Sequence, residues 1–500
     1  MELDFCRPIA AALLGGCVFM FWFLKRVNEW YYVGRLGEAA CPLPPGDMGW
    51  PFIGNMLSLF KSLRSGEPNA YLYGLISRYG KTGIYKTHVF GCPSIIVCTP
   101  ELCRHVLTND EHFKQGYPKS CDLLSGKKSL SKITRAEHKR MRQLIAAPIN
   151  GHEALAIYIE HIESTVISSL DEWANKKHPF ELFTEMKRVT FKIITQNLMG
   201  SVNDSTFWAT EHLYADYREG LISMAINIPG FAFNKALKVP ISTPSMDPNA
   251  RKKLLGVIQS VLDEKRAMTK SGEYKGKKSM MDLLMEVEDE NGQILEDEDI
   301  VDLLLTCFSV GFESSATCAL WAIVHLTGHP EVLQKAKEEQ EEIIKRRPST
   351  QKGLNLKDIK QMEYLPKVID EMLRMTNMVS FFREAKTDVQ INGYTIPKGW
   401  KVLVWCGAVH MDPEIYENPQ DFNPSRWGEK IKPKPGAFMP FGAGSRLCPG
   451  SDLAKLVITT FLHYVLLNYK VTRVNPESPL RYLHAPIPAD NCLVEVTVIR

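Results

Sequence analysis

The sequence predicts a mainly α-helical protein with small β-sheets, preceded by an N-terminal transmembrane helix. Long stretches of the middle of the chain space their apolar residues at the helical period, whereas strand-like runs of β-branched and aromatic residues flank that middle. One uninterrupted apolar run opens the chain. Five hundred residues can bury a substantial core, and 45% hydrophobic with 23% charged residues and a formal net charge of +3 describe an ordinary globular chain. That balance argues against a disordered or nucleic-acid-coating protein. The 12 cysteines contain no Cys-x-x-Cys pair, so neither a zinc cluster nor a disulfide framework is indicated, and a reducing, cytosol-facing compartment fits.

In chain order, residues 1–7 read as a short lumenal N-terminus, 8–24 as the membrane anchor, 25–55 as a basic and proline-rich linker, and 56–500 as the globular domain. "PIAAALLGGCVFMFWFL" is about as long as the shortest spanning helices, with Trp22 near one end and Lys25 and Arg26 directly after it. The basic pair follows the apolar run and no small-residue cleavage site appears, which favours an anchor over a cleaved signal peptide. The positive flank places the rest of the chain in the cytosol. "CPLPPGDMGWPFIGN" carries four prolines and three glycines and predicts a stiff, extended connector.

"NAYLYGLISRYG" is amphipathic at helical spacing, "TGIYKTHVFGCPSIIVCT" reads as strands around a Gly-Cys turn, and "PELCRHVLTND" returns to helix. Residues 151–235 and 250–346 are mostly helical, and "DVQINGYTIPKGWKVLVWCGAVHMD" restores strand character with turns at NGY and PKG. Two segments read as exposed loops: the proline-containing 239–250 and the basic 269–279.

Three motifs carry chemistry. "FMPFGAGSRLCPG" (438–450) is a tight glycine loop that leaves Cys448 just before a long apolar helix, where helix-start N–H groups and Arg446 are expected to favour a thiolate; an idle buried cysteine is the alternative. "SVGFESSATC" sets Gly311, Glu313 and Ser314 inside an apolar helix, although a helical glycine costs about 1 kcal/mol and a buried carboxylate more. Such a glycine lets a flat ligand or small gas approach, and an acid beside an alcohol can relay protons; a helix crossing with a solvated Glu313 explains the same letters. "EMLRM" places Glu371 and Arg374 three apart on one face, "FFREA" supplies Arg383, and "DFNPSRW" supplies Arg426, which could close a network with that pair.

The order of these motifs resembles the cytochrome P450 family, the haem-thiolate monooxygenases. "FGAGSRLCPG" matches the family's haem loop at Phe441, Gly444, Arg446, Cys448 and Gly450; "EMLR" matches its Glu-x-x-Arg; "FNPSRW" stands where a further arginine closes that pair; and "VGFESS" looks like its oxygen-activating segment. The resemblance implies haem b with Cys448 as the axial iron ligand, Glu313 and Ser314 in proton relay, and Arg142, Arg383 and Arg446 on the haem propionates. His138 stands where many members have tryptophan. It also implies O2, electrons from NADPH through NADPH–cytochrome P450 reductase, contact with membrane lipid, and a single-pass protein of the endoplasmic reticulum with a cytosolic catalytic domain. Arg446, Lys430, Lys432 and Lys434 are candidates for the reductase side. A thiolate opposite bound oxygen favours O–O cleavage, and N–H groups near its sulfur tune the potential.

Longer stretches, among them "LPPGDMGWPFIGNMLSLFK" and "AAPINGHEALAIYIEHIE", are similar to the plant subfamily of ent-kaurenoic acid oxidases and β-amyrin 11-oxidases, which oxidise rigid polycyclic terpenoids. The chain departs from the wider family in one place and from that group in two. Ser314 replaces the family's more common threonine and loses a rotamer-fixing methyl. Val310-Gly311-Phe312-Glu313-Ser314 stands for the group's usual alanine-glycine-histidine-glutamate-serine, so that Phe312 is expected to make a pocket wall more apolar. Residues 239–250 read as an insertion where the family's substrate lid moves. The expectation is hydroxylation of a triterpenoid of β-amyrin or cucurbitadienol type; ent-kaurenoic acid oxidation in gibberellin biosynthesis, a non-catalytic haem-binding protein, and a haem-dependent isomerase or dehydratase remain alternatives. "GAGSRL" lacks the third glycine of a dinucleotide fingerprint.

Overall fold

A computed structural model describes residues 15–16, 19–20, 22–37, 41–117, 133–222, 250–272, 277–376, 380–428, 434–482 and 485–499. The first part of the globule contains α1 (Met56–Arg64), α2 (Ala70–Tyr79), the hairpin β1 (Ile84–Val89) and β2 (Cys92–Val97), α3 (Pro100–Thr108) and β3 (Phe113–Gln115). The hairpin turns through Phe90 (φ 54°) and Gly91 (φ 72°), one residue earlier than the Gly-Cys pair suggests, because a two-residue loop needs both central residues left-handed.

The helical middle follows: α4 (Arg135–Asn150), α5 (His152–Ala174), the short strand β4 (Phe180–Glu181), α6 (Leu182–Met199), α7 (Asp204–Ile222), α8 (Ala250–Ser271), α9 (Met280–Glu286), α10 (Asp297–Gly328), α11 (Pro330–Lys345), α12 (Leu356–Gln361) and α13 (Leu365–Thr376). Thr134 and Glu137 form a reciprocal capping box that starts α4, the helix carrying His138 and Arg142. The last part holds β5 (Ser380–Ala385), β6 (Val389–Ile391), β7 (Tyr394–Ile396), β8 (Lys401–Trp405), α14 (Cys406–His410), α15 (Ser451–Asn468), β9 (Tyr469–Arg473), β10 (Leu480–Tyr482), β11 (Pro486–Pro488) and β12 (Leu493–Val498). Asn392 and Gly393, at φ 51° and 77°, make the turn predicted at NGY.

The larger sheet runs β1-β2-β8-β5-β3, with β2 and β8 parallel and the other pairs antiparallel. Beside it stands the helical core, where Tyr158 of α5, Phe191 of α6, Phe308 of α10 and Phe461 of α15 belong to one apolar cluster. α10 is the helix among the described residues long and apolar enough to cross a membrane, yet 56% of its apolar window is buried inside the protein, as for a core helix.

Of the expected anchor, the described residues 15–16, 19–20 and 22–24 are helical, and the helix continues to Asn28 before a π-turn over Glu29–Val33. Within the expected 25–55 linker, residues 25–33 are thus helical. The proline-rich 41–55 stretch is extended but docked: the Lys86 N–H donates to Pro45 O and the Thr395 N–H to Pro42 O, both at 2.9 Å, and Met48 is buried. Prolines donate no N–H, so their carbonyls are satisfied by neighbouring strands, and the connector becomes part of the globule. Residues 239–249, 273–276, Lys430 and Lys432 lie outside the described residues.

Candidate active site

The glycine loop ahead of α15 folds back on itself through bonds from the Cys448 N–H to Phe441 O (3.0 Å) and from the Leu447 N–H to Gly444 O (3.1 Å). Gly444 has φ 71°, and a Cβ there would lie 2.7 Å from Leu107 O at the end of α3, so both conformation and space demand glycine. At Gly450 a Cβ would meet nothing within 4 Å; the protein's own atoms do not require that glycine. Burial pushes the Cys448 thiol above its ordinary range, opposed by the Gly450 N–H and then by Arg142. With no metal on the sulfur, desolvation outweighs the dipole at the helix start, and the arginine that opposes it is Arg142 rather than the expected Arg446. A metal bound to the sulfur deprotonates a thiol outright.

Around the loop three arginines converge. Arg383, buried on β5, donates from Nη2 to Leu107 O (2.7 Å) and lies 3.6 Å from Asp110, which also accepts from the Ser445 hydroxyl. Arg446 comes from the loop, and α4 presents His138 and Arg142 one turn apart. Burial lowers the Arg446 pKa first, and then Arg383 and Arg142 lower it against the pull of Asp110. His138 is pushed down to about 4 by burial and next by Arg446 and Arg142, with Asp110 again opposing. Like charges facing one another in a partly buried place are costly, and a dianionic ligand would remove the cost. A haem, with two carboxylates and an iron that takes a cysteine sulfur, fits this donor set.

On α10 the Ser314 hydroxyl donates to Val310 O (2.8 Å), Ser315 to Gly311 O (2.7 Å) and Thr317 to Glu313 O (2.8 Å). Three such back-bonds within one stretch compete with the helix's own ladder and favour a local bend. Ser314 is exposed and Glu313 half-buried, so no carboxylate is sequestered here. A Cβ on Gly311 would meet Ile194 of α6 at 3.5 Å, an ordinary contact, which places this glycine at a helix crossing. Phe312 requires a further correction. Its ring is 6% exposed and stands edge-on to Phe191 (5.5 Å) and Tyr214 (5.0 Å), inside the helical core. At 100° per residue it lies about 160° around the helix from both Val310 and Ser314. Val310 is 65% exposed on the Ser314 face, and that apolar residue is what the sequence reading overlooked. Helical spacing alone could have found it.

The third group closes on itself. Glu371 Oε1 accepts from Arg374 Nη2 (2.9 Å), Arg426 Nε (2.8 Å) and the Asn423 N–H (3.0 Å), while Oε2 accepts from Arg374 Nε (2.9 Å) and Trp427 Nε1 (3.0 Å). The remaining Arg374 nitrogen donates to His410 O (2.8 Å) and Arg426 Nη1 to Glu417 O (2.9 Å). Burial would raise the Glu371 carboxyl, but Arg374 and then Arg426 hold it below the usual carboxylate range. Glu371 and Arg374 are fully buried, not the surface pair their spacing alone suggests. His410 is a member that the motifs did not announce, and Trp427, though it ends the quoted "FNPSRW", was not read as one.

A model of the cytochrome P450 family matches residues 44–489. The 7,8-epoxymelianol synthase of Ailanthus altissima is 52% identical over 501 residues, covering 100% of this chain and 98% of its own. The beta-amyrin 11-oxidase of Glycyrrhiza uralensis is 51% identical over 499 residues (99% of each chain), and ent-kaurenoic acid oxidase 1 of Arabidopsis thaliana 50% over 483 (96% of each). A solved structure, retinoic acid-bound cyanobacterial CYP120A1, superposes with a TM-score of 0.77 at 25% identity over 92% of this chain and 100% of that one. Agreement that extends from the proline-rich stretch into the last strands covers the loop, the arginines and the central helix together, and the chain belongs to the cytochrome P450 family, the haem-thiolate monooxygenases.

Proposed function

We propose that this chain is a membrane-anchored monooxygenase that hydroxylates a polycyclic terpenoid, with a triterpenoid skeleton of β-amyrin or cucurbitadienol type as substrate. The observation that carries the choice is Val310, an exposed apolar side chain on the face of α10 that presents Ser314. A hydrocarbon skeleton needs such a surface, whereas a buried substrate carboxylate would need cations or several donors. Relatives named for β-amyrin and 7,8-epoxymelianol support the same reading. Oxidation of ent-kaurenoic acid is the second reading, favoured by a relative 50% identical that carries that name.

In this reading Cys448 would supply the sulfur that holds the haem iron, and Arg142, Arg383, Arg446 and His138 would hold the haem carboxylates. The haem supplies oxygen activation, promoted by a thiolate ligand. The Ser314 hydroxyl donates to Val310 O at rest and has lone pairs left to accept a hydrogen bond, so with Glu313 nearby it can pass a proton to the reacting side as it takes one up. NADPH-derived electrons would arrive through the reductase, with the exposed Lys434 and the half-buried Arg446 on its side. Endoplasmic-reticulum anchoring is supported by the outward Phe19, Met20, Trp22 and Phe23 of the N-terminal helix and by the exposed Phe52, Ile53 and Leu57. Asn28 donates to Met48 O (3.0 Å), joining that helix to the segment before Phe52.

The test is turnover of an equal mixture of ent-kaurenoic acid, β-amyrin and cucurbitadienol in reductase-containing microsomes with NADPH, read by mass spectrometry. Triterpene oxidation supports the proposal; oxidation of the acid alone overturns the substrate, and no NADPH-dependent product from any of the three favours a non-catalytic haem protein. In the same assay Val310→Ala shifts the product ratio by about tenfold, as expected for a few methyl groups in an apolar pocket, while Phe312→His leaves it unchanged.

A further inference from the structure

His410, the last residue of α14, is fully buried and serves both the Glu371 network and the cysteine loop. Its carbonyl accepts from Arg374, and its Nε2 lies 3.1 Å from the backbone nitrogen of Met439. A backbone N–H only donates, so Nε2 is the acceptor and the ring is neutral, with its proton on Nδ1. Burial and then Arg374 push its pKa down to about 3, in keeping with that tautomer. Met439 passes the connection on: its carbonyl accepts from the Gly442 N–H (3.2 Å), and Phe441, the next residue but one after Met439, accepts from the Cys448 N–H (3.0 Å). A second route is aromatic. The His410 ring lies 5.6 Å from Phe438, which lies 4.4 Å from Trp427, the indole bonded to Glu371. The hydrogen-bonded route from Glu371 to the loop crosses His410, whereas the aromatic one reaches Phe438 directly through Trp427, with the His410 ring packed beside it. Packing does not explain the choice of histidine, because Nδ1 is buried without a partner among the described residues, a cost that an apolar ring of the same size would not carry.

We propose that His410 is a positioning residue for the cysteine ligand: by accepting the Met439 N–H it fixes the entry to the loop and thereby the presentation of Cys448 to the haem iron. This rests on the reading of Cys448 as the axial ligand. The experiment uses the full-length, haem-loaded protein and two variants. His410→Phe keeps a ring and removes the acceptor, whereas His410→Gln keeps an acceptor without the ring. The readouts are the thiolate-type against thiol-type Soret band of the ferrous–CO complex and the reduction potential. In His410→Phe the thiolate-to-thiol ratio falls by about tenfold, the equivalent of about 1.4 kcal/mol, and His410→Gln restores most of it. An unchanged ratio and potential in His410→Phe would reduce the histidine to packing, and equal losses in both variants would assign the effect to ring shape. Should His410→Phe not fold, the glutamine variant decides: a parent-like band supports the acceptor role and a lost band overturns it. A parent protein with no thiolate-type band would overturn the Cys448 reading itself.

Discussion

Two arginine assemblies lie in this fold, and they end their hydrogen bonds differently. Around Glu371, two guanidinium groups are distributed over one carboxylate and a set of backbone carbonyls, and the carboxyl stays well ionised despite its burial. Around Arg446, like charges face one another, and burial together with the neighbouring Arg383 and Arg142 pulls the Arg446 pKa down. A cluster that closes on the protein is scaffold: it holds α13, α14 and the chain near Trp427 in register. A cluster that keeps cations opposed is suited to an anion that comes from outside. The same residue type thus does two jobs, and the difference lies in charge balance: two guanidinium groups share the buried Glu371 in one cluster, whereas in the other Arg142, Arg383 and Arg446 oppose one another with Asp110 as the carboxylate acting on them.

The comparison is broken most readily at Glu371. Glu371→Gln leaves Arg374 buried and Arg426 nearly so, without their counter-charge, a loss of about 3–5 kcal/mol against a total stability of about 5–15 kcal/mol. The expected outcome is near-complete loss of protein with a thiolate-type ferrous–CO spectrum, measured per unit of membrane protein. A normal spectrum would mean that the buried network is dispensable. Arg446→Met should behave differently: removing a cation that faces Arg383 and Arg142 as well as Asp110 costs the haem-free form far less than Glu371→Gln does, while haem is lost about tenfold faster to an excess of a haem-scavenging globin, as for one charge-assisted bond of about 1.5–3 kcal/mol. Equal damage to both forms would make Arg446 scaffold as well.

Much of this was legible in the letters. The glycine-cysteine loop announces itself because only glycine accepts the approach at Leu107, and the β6–β7 turn follows from local backbone preference, whereas the β1–β2 turn lies one residue before the Gly-Cys pair. The Glu371–Arg374–Arg426 grouping was readable as a possibility through spacing and order, but its burial was not, since i,i+3 pairs look the same on a surface. Trp427 and His410 were hidden because they act through an indole N–H, a carbonyl and a neutral imidazole, which carry no motif. Phe312 misled for a simpler reason: standing in place of the group's histidine suggested a pocket wall, and helical geometry turns it away into the Phe191–Tyr214 cluster. The raised Cys448 thiol was likewise illegible, because desolvation depends on what the rest of the chain places over the loop.

The finest test of the comparison uses its two histidines. His138 belongs to the open cluster and His410 to the closed one, and burial first lowers both from the ordinary 6.5, to about 4 and about 3 respectively. In each case the unfolded chain binds a proton that the folded chain refuses, so stability is complete above about pH 6.5 and is lost as pH falls towards the folded value. An anion bound among Arg142, Arg383 and Arg446 raises the His138 pKa towards its ordinary value and shrinks its share of that acid loss; His410, next to Arg374, keeps its share. In haem-free protein His138→Gln should therefore flatten the dependence of stability on pH between about 4 and 6.5 by up to one proton, and in haem-loaded protein by clearly less. His410→Gln should flatten the haem-free and haem-loaded curves alike, measured by denaturant unfolding across that pH range. If His138→Gln had the same effect in both forms, no anion would be bound within reach of it, and the open cluster would be one more closed network whose partners lie elsewhere.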